Sequence, residues 1–161
     1  MKLNLGCGKH HVKGHINIDL LPPADQIADI ADLNYAKETV SEITAIHVFE
    51  HLPRMGAQTV LGRWFDILKP GGKLMLELPC LDKAIHHFVT ERPENLTMWP
   101  LFGDPSNVGW PENVHEIHRW CYRENELREM LQKAGFDQVL TCTPLHHVPE
   151  RDMRLEAIKP C

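Results

Sequence analysis

The chain has 161 residues, 43% of them hydrophobic and 24% charged, the size and composition of one globular domain spanning 1–161. Its formal net charge of −5 disfavours a broad electrostatic surface for nucleic acid. No apolar run approaches the roughly 20 residues that span a bilayer, and the residues after Met1 read as strand rather than signal peptide, so a cytoplasmic protein with no membrane partner is expected.

Lys2–Leu5 is predicted as a first strand, ended by Gly6-Cys7-Gly8. His15–Asp19 alternates in the manner of a strand and ends on an acid. Ile27–Ala31 is read as a short third strand, and the β-rich run Ile43–Val48 as a fourth. Val60, Leu61, Trp64, Phe65 and Leu68 recur at helical spacing, and Lys69-Pro70-Gly71-Gly72 stops that helix. Lys73–Leu78 is a fifth strand. Leu81, Ala84, Ile85, Phe88 and Val89 mark another helix. Residues 93–122 hold four prolines and three tryptophans without a clear period, and are expected to be irregular. Leu127, Met130, Leu131 and Ala134 give a last helix ended by Gly135, followed by strands at Val139–Thr143 and Arg154–Ile158.

Strands alternating with helices imply an α/β fold on a mainly parallel sheet. The last two strands have no helix between them and can pair antiparallel at one edge. Only six residues separate Gly8 from His15, too few for the crossover of about a dozen that parallel neighbours usually need. A first crossover trimmed to a turn is expected.

Five cysteines stand at 7, 80, 121, 142 and 161, with no Cys-x-x-Cys pair, which argues against a disulfide framework and a cysteine zinc site. Of eleven histidines, six form the adjacent pairs His10–His11, His86–His87 and His146–His147. Adjacent side chains on a strand or helix diverge, so these pairs are read as solvated surface.

Four constellations carry chemistry. In Leu3-Asn4-Leu5-Gly6-Cys7-Gly8, two glycines after a strand allow a tight turn and leave space for a ligand. Asp19, at the next strand's end, can accept two hydrogen bonds from a ribose diol. A nicotinamide dinucleotide does not suit this turn. The third glycine of Gly-x-Gly-x-x-Gly is replaced by His11, and the acid arrives well before the usual spacing of about 20 residues. In Asp29-Ile30-Ala31-Asp32-Leu33, Asp32 can accept from an adenine amine while Leu33 covers the ring; Asp29 caps or faces solvent.

The order LNLGCG, INIDL, ADL, HVFEHL, LKPGGKL and AGF followed by a strand resembles class I S-adenosylmethionine-dependent methyltransferases, most nearly the compact ones that begin at the first strand. The resemblance implies a Rossmann-like seven-stranded sheet with an antiparallel edge pair. It implies that Gly6, Cys7 and Gly8 contact the methionine part of the cofactor, Asp19 the ribose, and Asp32 with Leu33 the adenine. Asn4 stands where many relatives carry an acid and can still hydrogen-bond to the cofactor.

The third constellation, His47-Val48-Phe49-Glu50-His51, resembles the Glu-x-x-Glu-His segment of metal-dependent O-methyltransferases, with His47 in place of the first acid. His115 or His118 could complete such a site, and several imidazoles would favour zinc over magnesium. Glu-His-Leu also occurs in metal-free relatives, where it borders the cofactor. His47 and Glu50 are therefore assigned to cofactor binding; a divalent metal is an open but disfavoured alternative, and no metal ligand is assigned. The fourth is Trp99–Tyr122, whose aromatics and histidines suit an acceptor pocket. Trp110 or Trp120 is expected as its wall, with His51, His115 and His118 as the catalytic candidates, since imidazole can act as a base near neutral pH.

The reading is a methyltransferase that O-methylates a small molecule or glycan at a hydroxyl or carboxyl group; the alternative is a non-catalytic S-adenosylmethionine-binding module. Oligomeric state is not legible.

Overall fold

Leu3, Leu5, Ile18, Ile43, Leu74 and Leu76, on four strands, are each fully buried. Asn4, Asn17 and Thr44, on the opposite face, are nearly as inaccessible, as suits parallel strands covered on both faces. The computed structural model describes residues 1–107 and 114–161. Among them, seven strands form one sheet: β1 (Lys2–Leu5), β2 (Ile16–Asp19), β3 (Gln26–Ile27), β4 (Val40–Ile46), β5 (Leu68–Pro79), β6 (Gln138–Cys142) and β7 (Asp152–Ile158). The order is β3-β2-β1-β4-β5-β7-β6. The first five strands run parallel, and β7 pairs antiparallel with both β5 and β6. The fold is the expected Rossmann-like sheet with its antiparallel edge pair.

Helix α1 (Arg54–Ile67) buries Ala57, Val60, Leu61, Trp64 and Ile67 along one stripe. Trp64 is completely buried, and its indole N–H donates to the Ile30 carbonyl at 2.9 Å. Full burial of each such leucine or isoleucine contributes about 1.5–3 kcal/mol. Helix α2 (Leu81–Val89) packs with two short helices, α3 (Glu94–Thr97) and α4 (Trp99–Phe102). Helix α5 (Glu124–Ala134) packs against α1 and ends at Gly135, whose left-handed φ of 113° and Phe65 contact leave no room for a Cβ.

Three expectations are corrected. The third strand stops at Ile27 because Asp29 accepts from the Ala31 N–H at 2.8 Å and starts a 3₁₀ turn, Ile30–Asp32. Strand β5 begins at Leu68, not Lys73: α1 ends at Ile67, Leu68 pairs with Val40, and Gly71 and Gly72 exchange backbone hydrogen bonds with Lys159. The stretch 93–122 is not wholly irregular, since it holds α3, α4 and a 3₁₀ turn at Val114–Glu116.

The trimmed crossover is present. Strands β1 and β2 are parallel neighbours, Leu3 opposite Ile16, with only turns between them. Buried side chains hold this short connection in place of a helix. The Asn4 amide donates to the His10 carbonyl at 3.0 Å and to Asn17 Oδ1 at 2.9 Å. Asn17 Oδ1 also accepts from the Val12 N–H at 2.8 Å, while the Asn17 amide donates to Asp25 Oδ2 at 2.7 Å. Asn4 and Asn17 are nearly inaccessible to water, so each of these groups would be costly to leave unpaired. Asn17→Ala is expected to lower unfolding free energy by about 2–3 kcal/mol, read by urea denaturation. A change below about 0.5 kcal/mol would show that the crossover is held by its backbone alone.

Candidate active site

The glycine turn lies at the carboxyl ends of β1 and β2, the place where open α/β sheets bind ligands. Gly6 and Gly8 both have left-handed φ angles, 62° and 49°. A Cβ on Gly6 would lie 2.2 Å from Val48 Cγ2, so glycine is required there on two counts. Asp19 organises the turn: its Oδ2 accepts from the Gly8 N–H at 2.8 Å and its Oδ1 from the Leu21 N–H at 3.2 Å. Each oxygen keeps a further lone pair for a diol. Cys7 is buried beneath the turn. Asp32 is largely exposed, 3.3 Å from the Arg63 guanidinium, and Leu33 beside it is half-buried against the core. Asn4 spends both amide protons on His10 and Asn17, leaving only its oxygen free.

A cavity of about 320 Å³ opens near the carboxyl end of β4. His47, His51, Trp99, His118, His147 and Arg151 line it, with Asp104, Asn107, Glu116 and Val148. Trp99 comes from α4 and the rest from three connections: the turn after β4, the segment after α4, and the loop between β6 and β7. The Glu50 carbonyl ties down the second by accepting from the Arg119 N–H at 2.8 Å and the Trp120 N–H at 3.2 Å. Glu77 ties down the third. Its buried carboxylate accepts backbone N–H groups from Leu145, His146 and His147 at 2.9, 2.8 and 3.1 Å.

His47 has a left-handed φ of 49° and sits between two completely buried carboxylates. Its Nε2 is 3.0 Å from Asp152 Oδ2 and its Nδ1 is 3.1 Å from Glu50 Oε1. Burial alone would lower its pKa, but the Asp152 bond and the Glu50 charge outweigh that and raise it to about 9. Burial likewise opposes ionisation of Glu50, and His47 outweighs it and holds the carboxyl low. The approach of His47 to Glu50 lacks hydrogen-bond alignment, so neither Glu50 oxygen has a hydrogen-bond donor among the described residues. His118, whose Nε2 is 3.9 Å from Glu50 Oε1, is pushed down by burial and is neutral near pH 7. The His51 and His118 rings meet edge to face at 5.0 Å.

Several expected placements change. His47 and Glu50 face the cavity-lining histidines: the Glu50 carboxylate has no solvent-accessible surface and meets His47 and His118. His115 lies beside Glu116 at 3.6 Å and is not in the cavity lining. Trp120 stacks under the Arg54 guanidinium at 5.7 Å, outside the cavity lining, while Trp99 forms a wall. Trp110 lies outside the described residues. His147 is exposed, as read for the adjacent pairs, yet its ring packs 4.1 Å from that of His47 and lines the cavity. Divergence of neighbours sends one histidine of that pair into the site and leaves the other out. Asp152, Arg151 and His147 were not singled out in sequence. Glu77 had a legible signal, a lone acid inside the apolar run Leu74–Leu78.

The sheet order and the glycine turn at the strand ends define a class I methyltransferase fold. The chain belongs to the methyltransferase domain family, whose model matches residues 3–141. Membership of that family implies methyl transfer with S-adenosylmethionine as the cofactor. Among curated protein sequences none matches. Among solved structures the chain is similar to an S-adenosylmethionine-dependent methyltransferase from Methanosarcina mazei, at 17% identity and a TM-score of 0.66 over 99% of this chain and 92% of that one. One from Archaeoglobus fulgidus matches at 14% identity and 0.65, over 98% and 85%. The chain spans 62% of a third, a "possible exported protein" from Bordetella parapertussis, at 15% identity and 0.61 over 99% of this chain. At these identities the likeness is one of fold.

The raised pKa of His47 has a stability consequence. A histidine of higher pKa when folded stabilises fully below its unfolded value near 6.5, and the contribution is lost as pH rises through about 9. With EDTA present to keep stray cations off the carboxylates, stability should fall on the order of 2 kcal/mol from pH 6.5 to 9.5. His47→Gln should remove most of that slope; an equal slope in the variant would place the titration elsewhere.

Proposed function

We propose that this methyltransferase transfers a methyl group to the oxygen of a small molecule or glycan hydroxyl held in the histidine-lined cavity. The observation that carries the reading is a neutral His118 in the wall of a pocket at the strand ends, with His51 beside it. A cavity of about 320 Å³ suits a small acceptor or one sugar unit better than a folded partner. The net charge of −5 supports a non-nucleic-acid acceptor.

The residues of the turn fit the cofactor. Gly6 leaves a cradle that any Cβ would close, and Asp19 retains acceptor capacity toward solvent. In this reading Gly6, Cys7 and Gly8 border its methionine end, Asp19 takes the ribose diol, and Asp32 with Leu33 meets the adenine. The Asn4 side chain serves the turn rather than the ligand. His47 and Glu50 belong to the acceptor side.

Bound S-adenosylmethionine supplies an electrophilic methyl carbon on a sulfonium leaving group. The protein's share is alignment, exclusion of water and activation of the acceptor. We assign activation of the hydroxyl to His118 with His51. Trp99 and Arg151 bound the volume the acceptor occupies. No helix among the described residues is long and apolar enough to cross a membrane, and the five cysteines are free, which supports a cytoplasmic setting.

Two measurements test the reading. Asp19→Ala should weaken S-adenosylhomocysteine binding by about 1–3 kcal/mol in calorimetry, because the ribose loses a charged partner. Unchanged affinity removes Asp19 from that role. In a screen of hydroxyl acceptors with labelled S-adenosylmethionine, His118→Ala should lower kcat about 100-fold and leave S-adenosylhomocysteine affinity within about twofold. Equal turnover in the variant would move the acceptor site elsewhere.

A further inference from the structure

Arg151 is tied along one edge of its guanidinium and open along the other. Its Nε donates to Asp152 Oδ1 at 2.7 Å and its Nη2 to Asp152 Oδ2 at 3.1 Å, which uses the side-on fork. A guanidinium carries five N–H donors, so a second fork remains, made of the Nη1 protons and the other Nη2 proton. Among the described residues no acceptor meets that fork. The pairing with the completely buried Asp152 fixes the plane of the group, and the Arg151 side chain is only 13% exposed. A guanidinium is weakly hydrated, and one held rigidly with a free fork is suited to a planar oxyanion.

The surroundings of Arg151 favour an anion. It is the one arginine or lysine in the cavity lining among the described residues. His47 shares Asp152 with it and adds positive charge, although both His47 nitrogens already meet carboxylates. Burial, and after it the charges of His47 and Arg151, hold His147 below its ordinary pKa. The Trp99 indole N–H, in the same lining, is buried and has no acceptor among the described residues. Two acids also line the cavity, and neither is a buried, unsatisfied anion. Asp104 Oδ1 accepts from the Ser106 N–H at 2.8 Å and the Ser106 hydroxyl at 2.7 Å. The Glu116 side chain is 46% exposed and lies 3.6 Å from His115.

We infer that Arg151 anchors a carboxylate of the acceptor, which makes the acceptor a small hydroxy acid with its hydroxyl at His118. A carboxylate accepts two parallel N–H bonds, the geometry that the free fork offers. His118 Nδ1 is 3.0 Å from the Pro100 carbonyl oxygen. A carbonyl can only accept, so the neutral ring carries its proton on Nδ1 and its Nε2 is bare. The hydroxyl oxygen gains the methyl group as the carbon–sulfur bond breaks, and it gives its proton to His118 Nε2. The carboxylate is held and not consumed. Anchoring at a second point fixes the direction of the hydroxyl, which is the alignment that methyl transfer requires. The inference rests on the acceptor-site reading above and deepens it by naming the substrate class.

The test uses matched probes that differ in one charged group: 4-hydroxybenzoate with 4-hydroxybenzamide, and lactate with lactamide. Each is titrated into full-length protein saturated with S-adenosylhomocysteine. In at least one pair the wild type should bind the acid about 10- to 100-fold tighter than the amide. Arg151→Gln should bring that ratio below about twofold and leave amide affinity unchanged, while His118→Ala should keep the ratio. Binding of S-adenosylhomocysteine confirms that each variant is folded. If Arg151→Gln does not fold, Arg151→Lys keeps a charge beside Asp152 without the fork and should lose most of the ratio. No preference for the acid in either pair, or an unchanged ratio in the Arg151 variant, overturns the inference. Tighter binding of tyramine than of the acids also overturns it and assigns the cavity to Asp104 and Glu116. Label transferred to an acid and released by mild base marks a methyl ester, and overturns it because the carboxylate is then the methylated group. Methylation of neutral hydroxyls that needs His118 and not Arg151 overturns the inference and keeps the acceptor site. Arg151-dependent binding without methyl transfer to any of a panel of hydroxy acids supports the anchor and removes the hydroxyl reading.

Discussion

Three carboxylates, Glu50, Glu77 and Asp152, are completely buried at one end of the sheet, and the shape of that end depends on satisfying them. Burying a carboxylate costs several kcal/mol unless donors or cations replace its water. Each therefore draws a different piece of chain toward it. Glu77 gathers the backbone of 145–147, Asp152 holds Arg151 and His47, and Glu50 meets His47 and His118. Pieces far apart in sequence converge because the alternative is an unpaired charge in a medium of low dielectric.

The end of the sheet at the glycine turn is built differently. Its connection is too short for a helix, so side-chain amides do the work that helix packing does in longer crossovers. Asn4, Asn17 and Asp25 form a chain of hydrogen bonds from β1 through β2 into the following loop. Asp19 then folds the glycine turn onto itself through the Gly8 and Leu21 N–H groups. One strand-end acid both shapes the turn and keeps lone pairs facing outward. Gly6 is tied to the other half of the site by its contact with Val48, the residue after His47. The glycine turn and the cavity wall thus meet at one contact.

Periodicity and punctuation made the sheet legible. Strand β1 and the α1 stripe through Val60, Leu61 and Trp64 followed from local pattern, as did the Gly135 stop after α5. Where local chemistry competed with pattern, the pattern lost. The side chain of Asp29 cut short the third strand, and pairing with Val40 and Lys159 carried β5 back through a Pro-Gly-Gly run that reads as a turn. The histidines were the hardest to read. His147 and His115 look alike in sequence, yet one packs on His47 and the other lies beside Glu116 outside the cavity lining. Which of them enters depends on the Glu77 clamp, a contact across 68 to 70 positions.

By itself the sequence determined the class of fold, the glycine turn and the acid at the next strand's end, because these depend on residues within a few positions of one another. Gly6 and Gly8 follow β1 and Asp19 ends β2, adjacent strands joined by a short link, and their relation needs no distant partner. The tertiary structure alone decided which polar residues share a site. Asp152 reaches His47 across 105 positions, and His118 reaches Glu50 only because residues 119 and 120 hydrogen-bond to the Glu50 carbonyl. Long-range pairing of buried charges leaves no periodic trace, since it is set by the cost of burial at the end of a sheet rather than by the local geometry of strand or helix.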